Sequence, residues 1–245
     1  MTKGVVYYTH NELDPLIMSV CQTQLRQSFD GELVSVSLKP MDFGRNIVLN
    51  ELPSYVTMLK QILAGLEVST AESIFLAEHD VLYHPSHFEF DPPSKDIYYY
   101  NVNVWLWDYP NDRAITYNNI RSQSGLCADR QLLIQQYKKR LDKIFHYGWE
   151  QDRDRSPHWA RRMGFEPGTK TRRQGGISDE SAETWRSIYP NLDIRHNRTA
   201  TPRRVSLVHF KHPPDPKTWQ EITINKIPGW WGDVYPLEKV RERFV

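Results

Sequence analysis

Apolar and polar positions along the chain switch between two periods, and the switches outline a succession of strands and helices. Residues 4–9 read as a β-strand, followed by a helical stretch from about 15 to 27. Residues 32–38 alternate, with Leu33, Val34, Val36 and Leu38 as the apolar members, and Lys39-Pro40 ends the strand. Tyr55, Met58, Leu59, Ile62, Leu63 and Leu66 recur at three- and four-residue steps, which predicts an amphipathic helix over residues 52–67 with Lys60 and Gln61 off the stripe. Ile74-Phe75-Leu76-Ala77 is a short apolar run that reads as a buried strand, and polarity changes abruptly at Glu78-His79-Asp80. A strand-like run covers residues 97–106, and a helix with a basic face covers 132–145, with Ser124 as a candidate cap for it. Gly175-Gly176 frees the backbone before a further helix over residues 180–188, which Ser178 or Asp179 would cap. Residues 190–196 read as a short edge strand. The tail, with Pro213-Pro214-Asp215-Pro216 and the 227–232 stretch, is turn chemistry with exposed-looking tryptophans and is expected to pack back as an irregular cover.

Strand and helix in alternation predict an α/β fold, an open mixed sheet flanked by helices, in one domain over residues 1–245. In such sheets ligands settle beyond the carboxyl ends of the strands. No run of 18 apolar residues exists and the start carries no signal-peptide pattern, so a soluble, cytoplasmic protein with no membrane partner is expected. Cys21 and Cys127 are too few and too distant for a zinc cluster or a disulfide framework. The net charge is only +1, so attraction to a polyanion has to come from local patches. One such patch lies between residues 153 and 173, where seven basic residues stand against Asp154 and Glu166, a local balance of +5, interleaved with aromatics. Arg161, Arg162, Arg172 and Arg173 in this stretch suit a phosphate backbone, and a solvent-facing insertion with no partner fits the same charges.

Glu78 and Asp80, at i and i+2 beyond the end of a strand, suit a hard divalent cation, although spacing alone leaves open a solvated loop with incidental acids. His79, His84 and His87 match no zinc spacing, and read as groups behind the ligands or as loop histidines. Thr9, His10 and Asn11 at the end of the first strand would stand beside a nucleotide base or ribose, while Asn11 or Asp14 fits a helix cap equally well. The compact loop with Gly44, Arg45 and Asn46 permits a close backbone approach at its glycine. Trp105 and Trp107 are candidates for an acceptor-binding wall, and Asn101 and Asn103 read as lying on one side of the same strand.

A strand ending in an acid-x-acid triplet after an N-terminal α/β region resembles the DXD motif of GT-A fold glycosyltransferases. The wording of residues 34–40, 75–88 and 190–196 is similar to that of phage-encoded, DNA-modifying glycosyltransferase-like proteins, with Glu78 where the first Asp usually stands. The resemblance implies a GT-A-like domain whose residues 1–110 bind a nucleotide sugar, a UDP-sugar foremost, and whose residues 111–245 bind the acceptor and form the cover. It implies Mn²⁺ or Mg²⁺ held by Asp80 first, helped by Glu78, which would otherwise reach the ribose or a metal-bound water, and by a C-terminal histidine, His196 in preference to His209 or His212. It also implies donor contacts from Arg45 and from the loop at Gly125, a catalytic base at Asp179 or Glu180, and Arg195 against the departing diphosphate. The activity implied is hexosyl or pentosyl transfer to a hydroxylated base in DNA. A small-molecule or glycan acceptor, a non-catalytic nucleic-acid-binding protein and a nucleotidyltransferase are the alternatives.

Overall fold

The computed structural model describes residues 1–151, 166–168, 181–196, 204–210 and 213–230. In chain order the elements are β1 (Lys3–Thr9), α1 (Pro15–Ser28), β2 (Glu32–Ser37), β3 (Arg45–Val48), α2 (Tyr55–Val68), β4 (Ser73–Glu78), β5 (Val81–Leu82) and β6 (Tyr98–Asn101). They continue with β7 (Val104–Asp108), β8 (Arg113–Thr116), β9 (Leu126–Asp129), α3 (Arg130–His146), β10 (Ala182–Trp185), β11 (Asn191–Ile194) and β12 (Gln220–Thr223). Seven strands form a mixed sheet in the order β10-β6-β9-β4-β1-β2-β3, and five form a second sheet in the order β12-β8-β7-β11-β5. This is the open mixed α/β arrangement that the sequence pattern predicts.

Alternate residues of the first sheet face opposite cores, as the two-residue period of a strand requires. Val6, Tyr8, Ile74, Leu76, Tyr98 and Tyr100 pack against Leu59, Ile62 and Leu66 of α2 and Leu133, Tyr137 and Ile144 of α3. Val5, Tyr7, Phe75 and Ala77 face the other way, onto Leu25 of α1, Phe43 and Phe88. The N-terminal half of α1 continues past this sheet and covers the second one, with Ile17, Val20 and Cys21 against Leu82, Trp105, Trp107 and Leu192. Each helix starts at a side-chain cap worth about 1 kcal/mol. Asp14 accepts from the amides of Leu16 and Ile17, Ser54 from Thr57, and Asp129 from Gln131 and Leu132.

The feature that positions the site is the way the chain passes between sheets. Three parallel strands of the first sheet, β4, β6 and β10, each continue from their carboxyl ends into a strand of the second, β5, β7 and β11. The run over residues 97–106 is therefore two strands. Val102 N–H donates to the Trp185 carbonyl (2.9 Å) as the last bond of the β6–β10 ladder, and Asn101 Oδ1 accepts from the amide of Asn103 (2.9 Å) where the chain leaves that ladder for the second sheet.

Four other expectations are corrected. Residues 182–185 are a strand, not part of a helix over 180–188, because they pair in parallel register with the whole of β6, from Ala182 with Tyr98 to Trp185 with Asn101. Strand β11 is interior and not an edge, since β5 adds outside it. Ser124 lies in a tight turn ahead of β9, and Asp129 caps the following helix. Trp230 is 1% exposed and donates its indole N–H to the Pro190 carbonyl (2.6 Å), so this tail tryptophan is core, joined there by Ile224 and Ile227.

Candidate metal centre

Strand β4 ends at Glu78, and His79 and Asp80 form the turn by which the chain leaves the first sheet before Val81–Leu82 joins the second. Strand β11 pairs antiparallel with that short segment, Leu192 opposite Leu82 and Asp193 opposite Val81. The amide of Ile194 donates to the Asp80 carbonyl (2.9 Å). This pairing brings His196 back over the turn, with Nε2 at 3.1 Å from Asp80 Oδ2 across 116 residues of sequence. His79, Asp80 and His196 each offer a ligand atom, all within 4.8 Å of one another. Ligand atoms on opposite sides of one small cation stand about 4 Å apart, so the set needs only a slight inward adjustment to share an ion. Two imidazoles and a carboxylate are suitable donors for a divalent transition cation. His196 was expected at this position; His79 was expected behind it.

The electrostatics favour ligation. Burial pushes His79 down to about 4, so its ring is neutral at pH 7, the form that binds a metal. Burial alone would raise Asp80, but the hydrogen bond from His196 and the neighbouring His79 hold its carboxyl below the ordinary value. His79 Nδ1 is paired with Thr9 Oγ1 (2.7 Å), which also accepts from the amide of Asn11 (3.0 Å). Such a partner fixes the orientation of a metal-binding imidazole and leaves Nε2 as the ring atom that can reach an ion. The His10 ring stands perpendicular to His79, centroids 4.8 Å apart. Asn11, at a left-handed φ of 61°, accepts from the amides of Leu38 and Lys39 and so clasps the end of β2; the helix cap is Asp14.

Glu78 is not in the cluster of ligand atoms. Its Oε1 accepts from the Tyr8 hydroxyl (2.8 Å), and its amide donates to the Tyr83 hydroxyl (3.0 Å). Burial and the charge of Asp80 raise its carboxyl well above the usual range. The expectation that Glu78 ligates the ion is corrected on this geometry: it is the last residue of β4, where backbone pairing still directs its side chain, whereas the next two residues form the turn. Arg195 is buried and directs Nη1 at both oxygens of Asp193 (3.0 and 3.1 Å).

The remaining candidates divide between this end of the sheet and elsewhere. Thr9 and His10 are at the centre, and Gly125 borders the same end, where an added Cβ would lie 2.9 Å from the Asn101 carbonyl. Gly44, Arg45 and Asn46 are not brought there. Arg45 pairs with Val34 on the far edge strand, three positions back from the Ser37–Val48 pair, which puts it about 10 Å behind the carboxyl edge. Gly44 has φ +62° and abuts Leu33, and Asn46 bonds Ser35 and Ser37, so this loop is a structural clasp. Trp105 and Trp107 are 7% and 1% exposed beneath α1; they are core and form no acceptor wall. His209 is exposed and outside the cluster. Arg161, Arg162, Arg172, Arg173, Asp179, Glu180 and His212 lie outside the described residues.

Among the described residues no helix is long and apolar enough to cross a membrane. The chain matches no family model and no curated protein. Among solved structures it is similar to a glycosyltransferase involved in the glycosylation of the major capsid of PBCV-1. The identity is 8% and the TM-score 0.37, and the likeness covers 59% of this chain and 67% of that one.

Proposed function

We propose that the chain is a metal-dependent glycosyltransferase that moves a sugar from a nucleotide sugar to an acceptor hydroxyl. The observation that carries this reading is the approach of His196 to Asp80 at 3.1 Å, at the carboxyl edge of a mixed α/β sheet and beside the end of β1. The acid-x-acid wording of residues 78–80 supports it from the sequence. Asp80 and His196 would hold the cation, which when bound supplies Lewis-acid stabilisation of the departing diphosphate. The chain's own groups do the rest. Asp193 fixes the guanidinium of Arg195 at the same edge, so its positive charge is already in place for a phosphate and needs no reorganisation. Thr9 and His10 bound the space where the donor would lie.

For the acceptor, the charge of +5 between residues 153 and 173 favours DNA carrying a hydroxylated base over a small molecule or glycan. Such a base would leave the stack to reach the site, and Asp179 or Glu180 would take the proton from its hydroxyl. Incubation with a panel of nucleotide sugars and Mn²⁺ or Mg²⁺, with and without hydroxymethylated DNA, tests the reading through the product released. Nucleoside diphosphate supports sugar transfer, and its dependence on the modified DNA supports that acceptor. Pyrophosphate would mean nucleotidyl transfer, and DNA binding with no turnover would mean a non-catalytic role.

A further inference from the structure

We infer that His79 is itself a ligand in this centre, and that the set His79, Asp80 and His196 selects a first-row transition cation over Mg²⁺. The inference rests on the metal-dependent reading above and deepens it by naming the class of ion and the residue that chooses it.

Three observations converge. The ligand atoms of His79, Asp80 and His196 lie within 4.8 Å of one another, and this is the sole such group among the described residues. Glu78, the oxygen donor that an acid-x-acid pattern would offer, is instead engaged by the Tyr8 hydroxyl at 2.8 Å. The far nitrogen of the His79 ring is held at 2.7 Å by Thr9, whose position is itself fixed by the amide of Asn11. A buried histidine needs such a partner in any role; in a ligand the same bond also fixes the ring and adds affinity.

The consequence follows from donor chemistry. Mg²⁺ prefers an all-oxygen shell, keeps several waters and gains little from imidazole. Affinity for nitrogen donors rises along the first transition row from Mn²⁺ through Co²⁺. Exchanging the Glu78 oxygen for the His79 nitrogen therefore shifts the centre from one that could serve either class of ion toward one that favours a first-row transition cation over Mg²⁺.

The test uses the full chain, treated with chelator and reloaded with Mn²⁺. Pulsed electron paramagnetic resonance of the Mn²⁺-loaded wild type counts coordinated imidazole nitrogens without any substitution, and two are expected. A hundredfold excess of Mg²⁺ should leave most of the Mn²⁺ bound. His79→Ala should weaken Mn²⁺ binding by at least about tenfold, and Glu78→Gln should leave it within about threefold. One imidazole nitrogen or none, displacement of Mn²⁺ by Mg²⁺ at similar concentration, or a Glu78→Gln loss as large as that of His79→Ala would overturn the inference. If His79→Ala fails to fold, the nitrogen count of the wild type still decides. Two nitrogens in a protein that transfers no sugar would support this inference and refute the transferase reading. Sugar transfer by a protein whose Mn²⁺ has fewer than two would do the reverse.

Discussion

Asn101 gives a direct test of the idea that the crossings between sheets hold the site in place. Its side chain is fully buried where β6 passes into β7, and it ties that crossing to the neighbouring one between β10 and β11. Oδ1 accepts from the amides of Asn103 (2.9 Å) and Ser187 (3.3 Å), and Nδ2 donates to Ser187 Oγ (2.8 Å) and meets His87 Nδ1 (2.9 Å). Asn101→Ala strips two buried amides and a buried ring nitrogen of their partners at once. Each such group costs about 1–3 kcal/mol when left unsatisfied. With some readmission of water the expected total is about 3–5 kcal/mol. For a chain of this length about 2–4 °C is lost per kcal/mol, so the unfolding midpoint should fall on the order of 10 °C. Calorimetry with metal removed measures it. Because Ser187→Ala removes the Oγ that accepts from Asn101 Nδ2, a double-mutant cycle between the two should give a coupling of about 1 kcal/mol. A midpoint within about 2 °C of wild type, or additive losses, would show that the crossings are held by backbone pairing alone and refute the reasoning.

Three further outcomes are expected. Burial keeps the fully enclosed His87 neutral and pushes it down to about 3, so its contribution is intact above the ordinary value near 6.5 and is lost progressively below it, about 1.4 kcal/mol per pH unit. Unfolding free energies from urea titrations between pH 7 and pH 5 should drop by about 2 kcal/mol more in wild type than in His87→Gln, and parallel curves would dispose of the claim. The raised carboxyl of Glu78 has the opposite sense, because stability is lost as pH rises above the ordinary carboxylate range while the folded state resists ionisation. Glu78→Gln in metal-free protein should therefore gain on wild type between pH 5 and pH 8, and a constant difference would contradict this. Asp80→Asn should reduce metal-stimulated sugar transfer at least about a hundredfold while leaving the fold intact by circular dichroism; full activity would remove the role assigned to Asp80.

Much of the first sheet is legible in the sequence because its strands and helices obey clean periods. The α2 stripe from Tyr55 to Leu66 and the apolar run before Glu78 both fall where the structure has them. The second sheet is not legible, for a physical reason. Two of its strands, β5 and β7, begin within three residues of the end of a first-sheet strand, so one continuous apolar stretch such as residues 97–106 hides a change of partner that the side chain of Asn101 marks. Strand β9 is four residues long with its first three buried in succession, which gives it no alternation to detect. At the centre, the residues that sequence brought forward, Asp80 and His196, do meet. His79 was not expected in the cluster because the i, i+2 rule assumes that the strand continues, and here it has already turned. A polar Thr9 at the end of the neighbouring strand, able to hold a histidine ring, is the signal that could have found it.

The turn at His79 and Asp80 belongs to the departing first sheet, while His196 trails from β11 in the second. An ion seated among them would act as a rivet through both layers, adding its binding energy to cohesion, about 2.7 kcal/mol at a hundred times its dissociation constant. Amide exchange in β7 and β11 would then slow as the ion is added. The same contact would then set how firmly the two sheets hold together.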